Sequence, residues 1–317
     1  MKVFVTGGQG FIGSHVSDYL LSLGHQVVVL DNLFSGRDHW QAGEVGPEIA
    51  NVDILDRPSL SEHFSLHKPQ VVFHLAAHHF IPFCDRNPVA AYELNVGGTL
   101  NVLYESKRVG VERLFFASTA DVYAPSPRVH MEDDVVAPFT VYGLTKSIGE
   151  TICRGAVDWG WKPDILIGRI FNAVGTRETN PHLVPEIVAQ VAGGATELKV
   201  GNLLPTRDFV DLPTQARAIV DATLTNHGVE TVNIGSGVSV AVGQMIEMIL
   251  AEAGREIRVT VDPAKVRAAE RSNLCASTTR LKRLIGYAPE PAGPGTIRSI
   301  LNEALNPRAA VAQEMCA

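Results

Sequence analysis

The sequence predicts an α/β fold built on a doubly wound parallel sheet, and three features of the chain predict it. Short, continuously apolar runs alternate with amphipathic stretches through the first half of the 317 residues. A glycine-rich turn follows the first apolar run, and an aspartate closes the second. Runs that are apolar along their whole length indicate strands of a parallel sheet whose two faces are both covered by helices.

The apolar runs predict six strands in the first half, at Lys2–Thr6, Gln26–Leu30, Glu48–Asp53, Val71–Leu75, Arg113–Ala117 and Asp164–Ile170. Helices are expected between them, for example over Gly13–Leu23 and Pro88–Val109, joined to the strands by right-handed crossovers. Beyond about residue 170 the pattern loosens. Shorter strands are expected near Leu198–Val200 and Ile257–Val261, and one further buried strand at Glu230–Gly235 returns to the large sheet.

These patterns predict two domains that share a cleft, and the chain is long enough for both. A cofactor-binding domain is expected over residues 1–170 plus about 206–240. A smaller, discontinuous carboxy-terminal substrate domain is expected over about 171–205 and 241–317.

Composition excludes several classes of protein. Hydrophobic residues make up 45% of the chain and charged residues 19%, which is an ordinary globular composition. The net charge of -7 argues against nucleic-acid binding, which needs a basic surface. No apolar run approaches the eighteen or so residues of a membrane span. The four cysteines form no Cys-x-x-Cys pair, which indicates free thiols in a reducing compartment. The first residues enter a strand directly and leave no room for a signal peptide, so a cytoplasmic protein is expected.

A phosphate-binding turn is the first functional signal. The first strand runs into Thr6-Gly7-Gly8-Gln9-Gly10-Phe11-Ile12-Gly13, which opens a helix. Glycines let the backbone turn sharply and approach a pyrophosphate, and the helix N-terminus offers amide donors to the anion. The position of the turn between a strand and a helix is typical of dinucleotide-binding proteins.

An acidic residue in the expected place selects the dinucleotide. Asp31-Asn32 ends the second strand, eighteen residues after Gly13. A carboxylate there accepts hydrogen bonds from both ribose hydroxyls and repels a 2′-phosphate, so NAD is favoured over NADP. Arg37 keeps NADP as an alternative, because an arginine could contact that phosphate. Asp53 ends the third strand, where it is expected either to bond the adenine amine or to cap a helix.

A tyrosine and a lysine four residues apart provide candidate catalytic groups. Tyr142 and Lys146 lie on one face if the segment is helical. A tyrosine base near neutrality needs its pKa lowered from about 10, a change of roughly 4 kcal/mol. A neighbouring Lys⁺ and the positive ring of NAD⁺ are the charges expected to lower it. Thr119 ends an apolar strand and is expected to share the proton, with Ser118 as the competing hydroxyl.

Together these residues resemble the extended short-chain dehydrogenases, specifically their NAD-dependent epimerase/dehydratase group. The resemblance runs from Lys2 to about Tyr287 and includes the glycine-rich turn, Asp31-Asn32-Leu33, His74-Leu75-Ala76-Ala77, Asn95-Val96-Gly97-Gly98-Thr99, Ser118-Thr119, Val122-Tyr123, and Tyr142 with Lys146. It implies a Rossmann domain, tightly bound NAD, and catalytic roles for Thr119, Tyr142 and Lys146. The NAD-binding residues that it implies are Gly7, Gly10, Phe11, Ile12, Asp31, Asn32, Asp53, Ile54, Leu75, Ala76, Ala77 and Lys146.

The later motifs look most like those of UDP-galactose 4-epimerases. They are Arg169-Ile170-Phe171-Asn172-Ala173-Val174-Gly175, Leu183-Val184-Pro185, Arg207-Asp208-Phe209-Val210 and the segment beginning at Arg267. The substrate-binding residues that the resemblance implies are Thr119, Tyr142, Asn172, Leu183, Arg207 and Arg267. The implied reaction is 4-epimerisation of a nucleotide-diphosphate sugar, a UDP-hexose or UDP-hexuronate, through a transient 4-keto sugar. The helices Pro88–Val109 and Tyr142–Val157 resemble the pair that forms a homodimer interface in this family.

Departures from the family pattern leave other functions open. Sugar 4,6-dehydratases carry a carboxylate two positions after the catalytic threonine, and here that position is Asp121. A dehydratase that uses Asp121 as the C5 base is therefore the alternative, followed by a 4-ketosugar reductase. A non-catalytic nucleotide sensor is the alternative from outside enzymology. His182 replaces the asparagine that epimerases carry before their Leu-x-Pro segment.

Two further expectations concern substrate and metal. Leu274 is expected to flank the C2 substituent of the sugar and to hinder an N-acetyl group, and Arg177 is near enough in sequence to meet a uronate carboxylate. The remaining candidates for a metal site are histidines, at His74, His78 and His79 and at His63 and His67. No carboxylate or cysteine joins them at ligand spacing, so no metal site is expected.

Overall fold

The computed structural model describes residues 1–40, 46–266 and 271–305. The strands in these ranges, in chain order, are β1 (Lys2–Thr6), β2 (Gln26–Asp31), β3 (Glu48–Asn51), β4 (Val71–His74), β5 (Arg113–Thr119), β6 (Asp164–Ile170), β7 (Ala173–Val174), β8 (Glu197–Val200), β9 (Thr206–Arg207), β10 (Val210–Asp211), β11 (Val229–Ile234), β12 (Val240–Ala241), β13 (Arg258–Val261) and β14 (Asn273–Leu274). Short 3₁₀ turns follow β5 and precede β6.

The α-helices are α1 (Phe11–Ser22), α2 (Arg57–His67), α3 (Ile81–Arg86), α4 (Pro88–Tyr92), α5 (Thr99–Val109), α6 (Val141–Gly155), α7 (Leu183–Ala192), α8 (Leu212–Thr225), α9 (Val242–Ala253), α10 (Thr279–Ile285) and α11 (Pro294–Leu305). Within the described ranges, every helix is too short or too polar to cross a lipid bilayer.

Seven strands form one parallel sheet in the order β11-β6-β5-β4-β1-β2-β3. The strand order reverses at β1, which has β4 on one side and β2 on the other. Doubly wound sheets bind their ligands at this switch point. The seven strands predicted for the sheet are all present, with each end within two residues of its predicted place. The predicted fold class is therefore confirmed.

Alternate residues of the central strands face opposite helical layers. Val3 and Val5 of β1 belong to the same buried cluster as Leu20 of α1. Phe4, between them, packs on the other face, where its ring centroid lies 5.0 Å from that of Phe64 in α2. This two-sided burial explains why the strands are apolar along their whole length.

A third buried cluster lies outside the sheet and is built mainly by α7, α9 and α11 with β8. Its fully buried members come from residues 174–209 and 242–301. These stretches largely coincide with the two that were predicted to form the substrate domain. The domain boundaries themselves stay a prediction.

The helix predicted over Pro88–Val109 is divided, because a π-helical turn over Glu93–Gly98 separates α4 from α5. The wider turn brings the buried Asn95 towards the end of β4. There its Oδ1 accepts from the His78 amide at 2.8 Å, and its Nδ2 donates to Thr145 Oγ1 of α6 at 2.9 Å. Such turns often mark functional sites, and this one fixes the loop after β4 relative to α6.

Candidate active site

A cavity of about 1010 Å³ opens at the carboxyl ends of the sheet strands. Parallel sheets place their ligands at this edge. The predicted site residues that line the cavity are Gly7, Gly10, Phe11, Ile12, Asp31, Asn32, Asp53, Ile54, Leu75, Ala76, Ala77, Thr119, Tyr142, Lys146, Asn172, Leu183 and Arg207. Arg267 lies outside the described residues. One cavity therefore holds both the predicted cofactor residues and the predicted catalytic ones.

The glycine-rich turn leaves room for an anion at the start of α1. Gly7 has a φ of 73°, and a Cβ on Gly13 would lie 2.1 Å from the Gly7 carbonyl oxygen, so neither position tolerates a side chain. At Gly10 the space is less restricted. The nearest described atom to a Cβ built there is the Gly7 carbonyl oxygen, at 3.2 Å. No described side chain caps this end of α1. The first amides of the helix are thus available to a pyrophosphate.

Asp31 is held at the end of β2 by backbone amides. Its Oδ2 accepts from the Gln9 amide at 2.9 Å and its Oδ1 from the Leu33 amide at 2.8 Å. Burial raises the pKa of Asp31, while these two hydrogen bonds oppose the rise. Each oxygen keeps a lone pair for a further donor. Arg37 is exposed and is absent from the residues that line the cavity, so its place does not support NADP.

Asp53 is occupied by protein donors. Its Oδ1 accepts from the Leu55 amide at 2.8 Å and its Oδ2 from Asn32 Nδ2 at 3.0 Å. Asp53 therefore stabilises the turn after β3, although the N-cap of α2 is Asp56 and not Asp53. The expected helix-capping role of Asp53 is wrong, and the adenine contact stays a prediction.

Thr119, Tyr142 and Lys146 meet where β5 ends and α6 begins. Thr140 caps α6 by accepting a hydrogen bond from the Gly143 amide at 3.0 Å. This cap places Tyr142 in the first turn of the helix, where its phenol lies beside the Thr119 hydroxyl. The Lys146 ammonium lies one turn further on, 5.9 Å from the centroid of the Tyr142 ring. The structure thus brings the three predicted catalytic residues together.

Burial dominates the electrostatics of this group. Burial, with a contribution from Asp121, raises the pKa of Tyr142 above its usual value, and the Thr119 hydrogen bond offsets only part of the rise. Burial lowers the pKa of Lys146 to about 8. The pKa of Tyr142 is therefore not lowered overall in the polypeptide, because loss of solvent dominates, and the lowering expected from Lys146 together with NAD⁺ stays a prediction.

Ser118 has a different role from its neighbour. Its Oγ donates to Glu150 Oε1 at 2.6 Å, and Glu150 forms two hydrogen bonds of 2.8 Å with Arg169. Glu150 and Arg169 are 1% and 2% exposed. Consecutive strand residues point to opposite faces. Ser118 therefore supports a buried ion pair, and Thr119 is the hydroxyl at the tyrosine.

Asp121 is engaged by an arginine that sequence reasoning missed. The Oδ1 of Asp121 lies 3.5 Å from the Nε of Arg271, and the Nη2 of Arg271 donates to the Asp121 carbonyl at 2.9 Å. Arg271 is buried, lines the cavity, and stacks on the ring of Phe139. The only signal for Arg271 in the sequence was its position four residues after Arg267.

The predicted substrate residues line the far side of the cavity. Asn172 is exposed there and Leu183 begins α7. Arg207 donates from Nη1 to the carbonyls of Thr206 and Arg271, at 2.9 and 3.0 Å. Leu274 pairs with Arg207 between β14 and β9 and also lines the cavity.

Arg177 is directed away from the substrate residues. Its Nη1 lies 2.6 Å from an oxygen of Asp18, and Arg177 is absent from the residues that line the cavity. The expectation that Arg177 meets a uronate carboxylate is therefore wrong, because the guanidinium already pairs with a surface aspartate.

The histidines divide into two kinds. His74 is buried between Thr6 and Thr99, with its ring nitrogens 2.8 and 3.0 Å from their hydroxyls, and burial lowers its pKa to about 3. His79 instead lies beside Glu178 and His182, with possible ligand atoms all within 4.8 Å of one another. The expectation that no carboxylate joins the histidines is wrong at this place, because the fold brings together residues about a hundred positions apart.

Comparisons with known proteins agree with this geometry. A model of the NAD dependent epimerase/dehydratase family matches residues 3–235. The UDP-glucose 4-epimerase of Lacticaseibacillus casei is 31% identical over 310 residues, covering 91% of this chain and 92% of the relative. The GDP-6-deoxy-D-mannose reductase of Pseudomonas aeruginosa is 27% identical over 314 residues, covering 95% and 96%. The crystal structure of UDP-glucose 4-epimerase from Thermotoga maritima with UDP-glucose has a TM-score of 0.88 at 26% identity, covering 98% and 100%.

The family match includes the elements that build the cofactor side of the cavity. The glycine-rich turn, Asp31, Thr119, Tyr142 and Lys146 all lie within residues 3–235. An epimerase and a reductase both occur among the relatives, so family membership alone does not decide the reaction. The chain belongs to the NAD-dependent epimerase/dehydratase family.

Proposed function

We propose that this enzyme interconverts the C4 epimers of a UDP-hexose. The observation that carries the proposal is the meeting of Thr119, Tyr142 and Lys146 in the cavity that also contains the glycine-rich turn and Asp31. Bound NAD⁺ would supply a reversible hydride acceptor for C4 of the sugar. The amides at the start of α1 bind its pyrophosphate, and Asp31 binds its adenosine ribose.

The polypeptide supplies the path for the proton. Tyr142 receives the proton of the 4-hydroxyl, and Thr119, which lies beside the phenol, shares that proton. The Lys146 ammonium stabilises the phenolate that results, since it lies on the same face of α6. Because Lys146 is buried and Tyr142 is half-buried, solvent competes little for this proton.

The far side of the cavity suits a sugar nucleotide. Asn172 and Arg207 line it and are proposed to bind the diphosphate, with Arg267 as a third expected contact. Leu183 and Leu274 provide apolar contacts beside the sugar. A volume of about 1010 Å³ is at the upper end of the range for single ligands, which supports occupation by two nucleotides at once.

A dehydratase is the second candidate, and Asp121 favours it. The carboxylate lies two residues after Thr119 and in the cavity, where it could remove a proton from C5. Its contact with Arg271, at 3.5 Å, holds it in place. Epimerisation remains the better supported reaction because it requires only the three residues that already meet.

One incubation separates these reactions. The purified protein is mixed with UDP-glucose, UDP-glucuronate or dTDP-glucose without added cofactor, and NMR follows the products. A sugar of unchanged mass inverted at C4 is the expected result. Loss of water with a new C6 methyl would establish the dehydratase. If all three sugars stay unchanged and only an added nucleotide-linked 4-keto sugar is turned over, with consumption of NADH or NADPH, the enzyme is a reductase.

Replacing Asp31 tests the choice of cofactor. We expect Asp31→Asn to weaken NADH binding by about 10- to 100-fold, because a hydrogen bond to a charged group contributes about 1.5–3 kcal/mol. NADPH binding falls less, since the carboxylate no longer repels the 2′-phosphate. Fluorescence titration of cofactor-free protein measures both, with Asp38→Asn as the control in the same loop. Equal losses for the two cofactors would show that Asp31 only supports the turn.

Replacing Leu274 tests its proposed place beside the sugar. Leu274→Ala is expected to raise kcat/KM for UDP-N-acetylglucosamine relative to UDP-glucose by about tenfold or more, because the smaller side chain admits the N-acetyl group. Steady-state rates on both substrates measure the ratio. Comparable turnover of the two sugars by the unaltered enzyme would refute the assignment.

We also propose that the enzyme is a homodimer that pairs the outer faces of α5 and α6. The apolar side chains exposed on α4, α5 and α6 are Val89, Tyr92, Leu100, Tyr104, Leu144 and Ile148. Their concentration on neighbouring helices supports an interface there.

A further inference from the structure

A cluster of two histidines and one glutamate lies at the wall of the cavity. His79 follows β4, while Glu178 and His182 belong to the loop that leads into α7. Their imidazole nitrogens and carboxylate oxygen all lie within 4.8 Å of one another. The mechanism proposed above assigns no task to these three side chains, and all three line the cavity.

The ring of His79 is held in place by its neighbours. One ring nitrogen hydrogen-bonds the backbone of Ala77, and Nε2 lies 3.1 Å from the side-chain Nδ2 of Asn180, a contact that a metal ion on Nε2 would displace. Metal-binding histidines are usually oriented in this way by a carbonyl on their second nitrogen. The ring of His182 lies 5.9 Å from that of His79, at an interplanar angle of 33°.

Glu178 is a partly buried carboxylate without a basic partner among the described residues. Its Oε1 accepts from the Asn180 amide at 2.9 Å, and no salt bridge in the described ranges includes it. A cation between Glu178 and the two imidazoles would provide the missing positive charge.

Two imidazoles and a carboxylate are a specific ligand set. They bind Zn²⁺ in sites that keep a fourth position open, and they also suit Fe²⁺ and other divalent transition metals. Mg²⁺ and Ca²⁺ prefer oxygen ligands throughout, so they fit this set less well. Tetrahedral Zn²⁺ holds its ligands about 3.3 Å apart. A tetrahedral ion would therefore draw together the three ligand atoms, which now lie within 4.8 Å of one another.

We propose that His79, Glu178 and His182 bind a divalent transition-metal ion, with Zn²⁺ as the ion that suits them best. One coordination position of the bound ion is open to the cavity. The bound ion ties the loop before α7 to the end of β4, two segments that are about a hundred residues apart. The site goes beyond the proposed epimerase activity and does not depend on it.

Metal titration tests the site directly. The full chain carrying Cys316→Ser, which removes a thiol outside the described residues, is freed of metal with a chelator and titrated with Co²⁺. We expect visible d–d absorption that saturates at one equivalent, is displaced by one equivalent of Zn²⁺, and is accompanied by a rise in Tm. Glu178→Gln and His182→Asn are expected to weaken binding by about 100-fold or more, given that even outer contacts contribute 10- to 100-fold.

The matched control is the other pair of neighbouring histidines. His63 and His67 stack on α2 at a centroid distance of 6.3 Å, with Glu48 3.5 Å from His67. His63→Ala is expected to leave Co²⁺ binding unchanged. The proposal is overturned if Co²⁺ produces no d–d absorption, if Glu178→Gln and His182→Asn bind as the parent does, or if only His63→Ala removes binding.

Discussion

Tyr142→Phe is expected to lower kcat for epimerisation by about 10²- to 10⁴-fold while the protein keeps its NAD. The substitution removes only the phenolic oxygen that lies beside the Thr119 hydroxyl. A positioned acid–base group contributes rate enhancements of this size. The cofactor contacts proposed for the glycine-rich turn and Asp31 lie elsewhere in the cavity. NMR assays of turnover, together with the NAD released on denaturation, measure the two effects separately.

Tyr123→Phe is the matched control for this change. Tyr123 is fully buried, its hydroxyl donates to Asn233 at 2.5 Å, and the residue is absent from the cavity wall. Its loss leaves a buried acceptor unsatisfied, which lowers the free energy of unfolding by about 1–3 kcal/mol and leaves turnover in place. If the two variants lost activity equally, Tyr142 would not be the proton acceptor.

Arg169→Met is expected to lower the free energy of unfolding by about 3–5 kcal/mol. Arg169 forms two hydrogen bonds of 2.8 Å with Glu150, and both side chains are buried. Its Nη1 also donates to the Glu132 carbonyl, and its guanidinium stacks on Tyr123. Removing one charge leaves the other buried without its closest partner. Chemical denaturation monitored by circular dichroism measures the loss.

The adjacent Arg154 provides the comparison. It also contacts Glu150, at 2.9 Å, but its side chain is 44% exposed. Arg154→Met should therefore cost about 1 kcal/mol or less, since solvent screens exposed pairs. The double variant Glu150→Leu/Arg169→Met should regain part of the stability, because no unpaired charge remains. A loss for Arg154→Met as large as that for Arg169→Met would contradict this account of the pair.

The sheet could be predicted because both of its faces are buried. Phe4 and its neighbours Val3 and Val5 must all be apolar when helices cover each side, and this pattern is visible in the sequence. The division of the helix over Pro88–Val109 could not be predicted. The π-helical turn depends on hydrogen bonds from Asn95 to His78 and Thr145, which are distant in sequence.

The candidate site shows the same difference between local and distant signals. The spacing of Tyr142 and Lys146 and their common helix face are local properties, so the pair could be recognised before its partners were known. The contacts of Asp121 with Arg271, and of His79 with Glu178 and His182, join segments about a hundred or more residues apart. The pKa of Tyr142 also could not be foreseen, because burial depends on the packed structure.

The most direct test of the central proposal follows the hydrogen at C4. The purified enzyme is incubated with UDP-glucose deuterated at C4, without added cofactor, and the sugar product is examined by mass spectrometry and NMR. If Tyr142 removes the hydroxyl proton while hydride leaves and returns to the same carbon, the C4-inverted product keeps its deuterium at C4. Deuterium lost to water, or found at C6 of a dehydrated sugar, would contradict the proposed epimerase.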